Sequence, residues 1–302
     1  MIAKAEPQEH MRRKRDAYWA DLVGGVTGAY KTAQVVGLLE GHRLPDDSAV
    51  VDVGAGTSHL SKMVAEMGGA PRIICVDYDD GIVQAMRAAE TDPAVEWRTA
   101  DARELASWTD RVGAVTFFDI LHELYSFVGR ETAEAPVDHA RGRVAVDQAL
   151  TAAAELLAPG GVIIITDDVL PEEEVDVRVA CRRHEIADLV RRIEDEYPSR
   201  PLEIRWLDDL TFEIPARTFI TLLTHYNKPK VGDEARWAVE QMEVHEYMKV
   251  SEYEAFMRRA GLTPRITAGT PDEALAEWRE DFEVLGGLDD FPLKRVAVVA
   301  VK

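Results

Sequence analysis

Short apolar runs alternate with amphipathic stretches between residues 50 and 167. Residues 50–53 and 72–76 are mainly apolar, as expected of strands that are buried on both faces of a parallel sheet. Between them, residues 58–67 place Leu60, Met63 and Val64 on one face of a helix. This regular alternation predicts right-handed crossovers and therefore a doubly wound α/β fold with a mainly parallel sheet.

The turn after the first predicted strand contains the first candidate ligand-binding residues. Residues 52–56 read Asp-Val-Gly-Ala-Gly, and the two glycines allow a tight turn with no Cβ between a ligand and the backbone. Asp77 ends the second strand, 21 residues after Gly56. A carboxylate at that strand end can accept hydrogen bonds from both hydroxyls of a ribose. The two features together predict a nucleoside pocket at the carboxyl end of a parallel sheet.

Two kinds of cofactor use this layout, a dinucleotide and S-adenosylmethionine. The dinucleotide fingerprint needs a third glycine where this chain has His59, which is too large for close helix–strand packing. Asp52, two residues before the first glycine, would oppose a pyrophosphate but could help to bind a cationic sulfonium. Here the chain resembles the class I S-adenosylmethionine-dependent methyltransferases, whose first motif is an acidic residue followed by x-Gly-x-Gly. An NAD-dependent oxidoreductase remains an alternative.

Three later stretches continue this resemblance in chain order. Residues 96–102 resemble the third strand of the family, residues 113–124 its fourth strand and exit loop, and residues 156–167 its fifth strand. The resemblance covers roughly residues 45–168 and 248–302 and implies a seven-stranded, mainly parallel Rossmann-like sheet. The residues it implies for S-adenosyl-L-methionine binding are Asp52, Val53, Gly54, Ala55, Gly56, Asp77, Tyr78, Asp101, Ala102 and Asp119. Asp101 would bond the adenine amino group, and Asp119 would lie near the methionine end.

The remaining segments predict two additions to that sheet. Residues 1–45 predict an N-terminal helical lid, whereas residues 46–168 and 248–302 predict the S-adenosylmethionine-binding domain. Residues 169–247 interrupt the family pattern and predict an inserted substrate cap, because an insertion after strand five lies above the edge where ligands bind. The same insertion could instead form the interface of a homodimer.

Local patterns predict the elements within and after the insertion. Residues 177–196 predict a helix or helix pair, and residues 204–220 predict strands or irregular structure. Ser251 is the expected N-cap of the next helix, with Glu254 completing a capping box and Gly261 ending the helix.

Composition excludes several classes of partner. The net charge of −20 argues against a polyanionic substrate, since nucleic-acid binding relies on clustered Lys and Arg. The sequence has no run of 18 apolar residues, so it predicts no membrane span. The N-terminus lacks the apolar core of a signal peptide. Cys75 and Cys181 do not suggest a disulfide framework, which favours a cytoplasmic protein. The expected partner is a small-molecule substrate, with no nucleic acid, no membrane and a second copy of the chain as a candidate.

Histidines are the candidate catalytic residues. A hydroxyl or ammonium acceptor must lose a proton during methyl transfer, and histidine is the usual base. Three histidines are placed to act near the acceptor, namely His122 after the fourth strand and His225 and His245 in the insertion. Asp167 and Asp168 end the fifth strand and would suit Mg²⁺. The downstream Asp-Asn pair of the cation-dependent relatives is not found, so no metal site is predicted.

The sequence therefore predicts methyl transfer from S-adenosylmethionine to an oxygen or nitrogen of a small organic acceptor, with an intermediate of bacterial secondary metabolism as one candidate. Methylation of a peptide or protein, on a side chain or carboxylate, is an alternative. Another is a catalytically inactive methyltransferase-like binding module. These hypotheses share the cofactor site and differ in what lies above it.

Overall fold

The structure, a computed structural model, describes residues 26–55, 59–108, 110–132 and 135–302, with side chains from residue 30 onward. Gly56 and residues 1–25 of the predicted lid lie outside the described residues. The helices and strands are α1 (Val26–Leu39), β1 (Ala49–Val53), α2 (His59–Gly68), β2 (Arg72–Asp77), α3 (Asp80–Ala89), β3 (Val95–Thr99), β4 (Val112–Phe118), α4 (Leu121–Val128), α5 (His139–Leu156), β5 (Leu157–Asp168), β6 (Asp176–Cys181), α6 (His184–Glu196), β7 (Arg205–Trp206), β8 (Thr211–Pro215), α7 (Ala216–His225), α8 (Asn227–Lys230), α9 (Glu234–Glu240), α10 (Val250–Arg259), β9 (Thr263–Gly269), α11 (Asp272–Asp281), β10 (Phe282–Gly286) and β11 (Arg295–Val301).

The main sheet has seven strands in the order β3–β2–β1–β4–β5–β11–β9. Strands β1 to β5 run parallel, and β11 runs antiparallel to both β5 and β9. All five residues of β1 are buried, as the continuous apolar run predicts. The predicted fold class is therefore confirmed, including the antiparallel strand near one edge.

The register of the central strands brings their carboxyl ends to one edge of the sheet. Val53, the last residue of β1, pairs with Val76 of β2 on one side and with Phe117 of β4 on the other. The residues that follow these strands, among them Gly54, Asp77 and Asp119, consequently lie along the same edge. This is the edge at which doubly wound sheets bind ligands.

A second, antiparallel sheet has the strand order β10–β6–β8–β7. The prediction of helix from residue 177 is wrong for residues 177–181, which belong to β6. Their alternation of apolar and polar residues fits a strand with one buried face, and Val177, Val179 and Cys181 are the buried positions. The helix predicted in this stretch begins only at His184.

Residues on both sides of the main-sheet strand β9 build the second sheet. Strand β10 pairs with β6, although the sequence prediction assigned all residues after 248 to the cofactor-binding domain. Trp278 of α11 and Phe282 of β10 are buried in the same apolar core as Phe212 of β8 and Phe219 of α7. The boundary at residue 248 therefore does not separate the two sheets, and the C-terminal segment contributes to both.

The helix after the insertion begins differently from the prediction. Lys249 occupies the N-cap position, and its backbone N–H donates to the Glu252 carboxylate at 2.8 Å. Ser251 instead donates its hydroxyl to Glu172 at 2.7 Å, because that acidic residue from the start of the insertion folds back onto the helix. Gly261 has a φ of 77°, as expected of the residue that follows a helix C-cap.

The structure also bears on the predictions about membrane spans and cysteines. Within the part of the chain that the structure describes, no helix combines the length and apolar character that crossing a bilayer requires. Cys75 and Cys181 are both buried. Neither thiol forms a disulfide.

Candidate active site

Gly54 makes the turn at the end of β1. Its φ is +66°, and its N–H donates to the Val76 carbonyl at 2.8 Å. A methyl group at this position would lie 2.3 Å from Ile120 Cγ1, at the start of α4. Glycine is therefore required both by the backbone conformation and by the close approach of Ile120. The turn leaves backbone atoms of Val53, Gly54 and Ala55 at the ligand-binding edge.

Asp52 is a buried carboxyl beneath this turn. It accepts a hydrogen bond from Thr116 Oγ1 of β4 at 2.8 Å, and that hydroxyl lies 3.2 Å from Ser61 Oγ of α2. Burial raises the pKa of Asp52 to about 7, although hydrogen bonds from Ser61 and Thr116 act in the opposite direction. Asp52 is thus close to half-ionised at neutral pH, and a cation placed nearby would favour its charged form.

Asp77 occupies the end of β2, as predicted. Its carboxylate accepts the backbone N–H of Asp79 at 2.8 Å. Burial raises the pKa of Asp77 to about 6, and the charges of Glu123 and Asp79 act in the same direction. Tyr78, next in the chain, is 45% exposed. Asp77 retains acceptor capacity for a ribose, and an exposed ring stands beside it.

Asp101 lies after β3, where it caps a short 3₁₀ helix (Ala102–Ser107). It accepts the backbone N–H of Arg103 at 2.9 Å and pairs with the Arg103 guanidinium, with Nη2 2.5 Å from Oδ2. Burial would raise the pKa of Asp101, but Arg103 holds it below its usual value. The carboxylate that was assigned to the adenine amino group thus already has a cationic partner, and Ala102 is held in the first turn of the 3₁₀ helix.

Asp119, after β4, is bound by two cations. Arg295 Nη2 lies 2.5 Å from Asp119 Oδ1, and Lys31 of α1 pairs with the other oxygen. Burial would raise the pKa of Asp119, but Arg295 and Lys31 hold it well below the usual range. The same arginine donates to Asp168 at 2.7 Å. Sequence reasoning missed Arg295, although a lone arginine opening an apolar strand is a signal of a buried acidic partner.

His122 lies in the first turn of α4 and is oriented by Asp167. Its Nδ1 is 2.8 Å from Asp167 Oδ1, and its backbone N–H donates to Asp167 Oδ2 at 3.1 Å. Asp167 also accepts the Tyr247 hydroxyl at 3.0 Å and the Asp168 backbone N–H at 2.9 Å. These contacts fix the ring of His122 so that Nε2 faces the insertion.

The three predicted histidines come together with two glutamates. We call this set the His–Glu cluster; its members are His122, His225, Glu240, Glu243 and His245. The rings of His122 and His245 stack with centroids 4.3 Å apart, and His225 meets His245 edge-on at 5.1 Å. His245 Nε2 lies 3.2 Å from Glu240 and 3.4 Å from Glu243. Sequence reasoning missed both glutamates, although Glu-x-x-Glu-x-His is a ligand-like spacing.

Electrostatics divide the three histidines into two kinds. Burial would lower the pKa of His122, but Asp167 and Glu243 raise it well above its usual value. His245 also has a raised pKa, because Glu240 and Glu243 outweigh the opposing effects of burial and His122. Burial, reinforced by Lys228, lowers the pKa of His225 far below its usual value. In the structure as it stands, His122 and His245 are therefore poor proton acceptors at neutral pH, which argues against either acting alone as the predicted base.

Residues 50–161 match a family model described as a methyltransferase domain. The match begins in β1 and ends within β5, so it contains Asp52, Gly54, Asp77, Asp101 and Asp119. Over these residues the chain is therefore similar to a methyltransferase domain, which supports the class I S-adenosylmethionine-dependent methyltransferase expected from the sequence. S-adenosylmethionine is accordingly the cofactor of this enzyme, and the glycine turn and Asp77 are suited to hold it.

Several solved structures are similar to this chain at low sequence identity. One is an S-adenosylmethionine-dependent methyltransferase from Mesorhizobium loti, with 16% identity, a TM-score of 0.49, and 93% of this chain and 100% of the other covered. Another is the YcgJ protein from Bacillus subtilis, with 14% identity, a TM-score of 0.48, and coverages of 91% and 98%. A third is 1,6-didemethyltoxoflavin-N1-methyltransferase from Burkholderia thailandensis, with bound 1,6-didemethyltoxoflavin and S-adenosylhomocysteine; it shows 14% identity, a TM-score of 0.49, and coverages of 100% and 91%.

Proposed function

We propose that this methyltransferase acts on an oxygen or nitrogen of a small organic acceptor, bound between the ligand-binding edge of the main sheet and the insertion. The observation that carries the proposal is the His–Glu cluster, which joins His122 after β4 to four residues of the segment 225–245. A cluster of titratable groups at this position can handle the proton of an acceptor.

The first turn of α4 connects the cofactor turn to the cluster. Ile120 packs against Gly54, whereas Glu123 is near enough to raise the pKa of Asp77. His122 lies between these two residues and faces the insertion. One helical turn thus contacts the cofactor-binding residues on one side and the His–Glu cluster on the other, which supports an acceptor site beside the methyl donor.

The protein's contribution to the chemistry is mainly alignment and desolvation. S-adenosylmethionine supplies a methyl group that is already activated on a sulfonium. The chain holds the cofactor through the Gly54 turn and Asp77, and it orients the acceptor in line with the methyl group. Burial of His122, His225 and Glu243 keeps that region largely free of water, which suits a group transfer that must avoid hydrolysis.

Labelled cofactor and a fractionated host lysate test the proposal. We expect the label to appear in a small extractable compound. Label in precipitated protein would favour the peptide or protein methyltransferase, and a complete lack of transfer would favour an inactive binding module. The Asp77→Asn variant supplies the background, because it should bind cofactor weakly while keeping the His–Glu cluster intact.

We expect Asp77→Asn to weaken binding of S-adenosylhomocysteine by at least roughly tenfold, because each hydrogen bond lost to a charged partner costs about 1.5–3 kcal/mol. Isothermal titration calorimetry measures the change. Asp80→Asn is the matched control, since Asp80 is exposed three residues further on and bonds Thr99 and Gln84 instead. Equal affinities of wild type and Asp77→Asn for S-adenosylhomocysteine would show that Asp77 does not bind the ribose.

Binding measured over a series of pH values distinguishes the effects of Asp52 and Asp77, the two carboxyl groups whose pKa values are raised. Asp52, with a pKa near 7, is neutral below that pH and charged above it. If its charge favours the sulfonium, the affinity for S-adenosylmethionine relative to S-adenosylhomocysteine falls as the pH drops below 7, by at most roughly tenfold per unit. Protonation of Asp77, with a pKa near 6, weakens both ligands alike.

Calorimetry with both ligands between pH 5.5 and 8.5 would show these effects. Asp52→Asn should make the ratio of the two affinities independent of pH. A constant ratio in the wild type would mean that Asp52 does not sense the sulfonium.

A further inference from the structure

The His–Glu cluster contains two overlapping groups of imidazole and carboxylate donors, and both groups include His245. We propose that it binds a divalent first-row transition metal ion, with His122, Glu243 and His245 as ligands and Glu240 and His225 completing the site. Mixed nitrogen and oxygen donors are typical of Zn²⁺ and Fe²⁺ sites, whereas Mg²⁺ and Ca²⁺ take oxygen ligands. Two histidines with one carboxylate is a recurring protein ligand set for a catalytic ion.

The distances within the cluster fit a single coordination shell. The ligand atoms of His122, Glu243 and His245 all lie within 4.8 Å of one another, and so do those of His225, Glu240 and His245. His245 Nε2 is 3.2 and 3.4 Å from the two glutamates, and His122 Nε2 is 3.6 Å from Glu243. Bonds of about 2.1 Å to one ion would hold neighbouring ligands about 3.0–3.4 Å apart. The contacts of His245 with the two glutamates already have that length, whereas wider pairs, which lie within 4.8 Å, would have to move closer when an ion binds.

Several ring nitrogens of the cluster lack a well-formed hydrogen bond. Within the described part of the chain, neither ring nitrogen of His225 makes a hydrogen bond, whereas Nε2 of His122 and Nε2 of His245 face glutamates at 3.2–3.6 Å without hydrogen-bond geometry. His225 is fully buried, so solvent does not satisfy it. A buried polar atom without a partner costs about 1–3 kcal/mol. An ion bound by the cluster would take one nitrogen from each ring, including a nitrogen of His225 that makes no hydrogen bond.

The surroundings of His122 match those of a metal-binding histidine. Such a residue usually gives its second ring N–H to a carboxylate, which fixes the tautomer and the ring. His122 has this arrangement, with Nδ1 2.8 Å from Asp167 Oδ1 and Nε2 directed to the cluster. Asp167 is in turn held by the hydroxyl of Tyr247. The two aspartates considered from the sequence as Mg²⁺ ligands thus surround the site instead: Asp167 orients His122, and Asp168 pairs with Arg295.

The proposal departs from the sequence prediction that the chain holds no metal. Its chemical consequence rests on the proposed function, since the ion would lie where the acceptor binds. A hydroxyl group bound to such an ion releases its proton to solvent more readily than the free hydroxyl does. The favoured acceptor is therefore a small molecule with an oxygen donor able to bind the ion. The His245 side chain is 14% exposed, which leaves an approach to the cluster.

Metal binding can be measured directly on the full chain. The protein is stripped with a chelator and titrated with Zn²⁺ alone, and the bound metal is then counted by mass spectrometry. We expect one equivalent, with a higher thermal unfolding midpoint. Glu243→Gln should abolish stoichiometric binding, and Asp167→Asn should weaken it by about 10–100-fold. His139→Ala is the control, because His139 bonds Tyr125 and lies outside the cluster.

Two readouts keep the inference open to refutation if a variant misfolds. X-ray absorption of zinc-loaded wild type should show at least two imidazole nitrogens on the metal. Folded wild type that binds none of Zn²⁺, Co²⁺, Fe²⁺ and Mn²⁺ stoichiometrically, or Glu243→Gln that binds as wild type does, would overturn the site. Label transfer by the metal-free protein equal to that of the loaded protein would refute the role of the ion and leave the proposed function standing. Stoichiometric zinc binding without any transfer would support the site and refute the proposed function.

Discussion

Replacing His122 with asparagine is expected to lower kcat by about 10²–10⁴-fold, the range contributed by a positioned group that handles a proton. His122 is the one member of the cluster that also belongs to the helical turn beside Gly54 and Asp77. It is fixed by Asp167 and stacks on His245, so its loss disturbs the acceptor side of the site whether the ring acts directly or through an ion. The affinity for S-adenosylhomocysteine should stay within a few-fold, because no cofactor-binding residue changes.

Steady-state kinetics with the identified acceptor measures this effect. His139→Ala again serves as the control, since His139 is exposed and its loss should leave kcat near that of wild type. If His122→Asn keeps wild-type kcat, alignment alone drives the reaction and the acceptor needs no help with its proton.

The second large effect is on stability. Arg295→Met is expected to lower the free energy of unfolding by about 3–5 kcal/mol, the cost of breaking a buried ion pair by removing one partner. Arg295 is 3% exposed and bonds both Asp168 and Asp119. Without it, the counter-charges that Asp168 would keep among the described residues are Lys294 at 3.6 Å and His245 at 4.0 Å.

Urea denaturation followed by circular dichroism measures this loss. Arg265→Met is the matched control, because Arg265 is an exposed residue of β9. It lies opposite Val299 of β11, the strand that also contains Arg295. Adding Asp168→Asn to Arg295→Met should recover part of the loss, since it removes the unpaired charge. An Arg295→Met variant as stable as wild type would show that Asp168 and Asp119 do not depend on this arginine.

The main sheet could be predicted from the sequence because its central strands are buried on both faces. Such strands appear as mainly apolar runs, and β1 and β4 are clear examples, each with one buried polar residue. The carboxyl-end rule then placed Gly54 and Asp77 correctly, since both follow directly from where a parallel strand ends. Local information was sufficient for these residues.

The second sheet could not be predicted in the same way. Strand β10 pairs with β6 across about a hundred residues of intervening chain, and the whole of β9 lies between them. Strand β6 has one buried face, and its six residues are too few to distinguish alternation from the start of the following helix. Pairing between distant segments depends on tertiary packing, which no local pattern contains.

Sequence reasoning found part of the site. All three candidate histidines meet in one cluster, but the pKa values of His122 and His245 depend on Asp167 at the end of β5 and on Glu240 and Glu243 in the insertion. The partners of Asp119 come from α1 and β11, at opposite ends of the described chain. Residue types and strand ends can be read locally, whereas the charges that decide how those residues behave come from distant segments.

The most direct test of the account is a crystal structure of the enzyme with S-adenosylhomocysteine. We expect both ribose hydroxyls to form hydrogen bonds with Asp77 and the backbone atoms of the glycine turn to contact the cofactor. We also expect the sulfur to face the side of the site where His122 and His245 lie. A cofactor whose ribose avoids Asp77, or whose sulfur faces away from the His–Glu cluster, would contradict it.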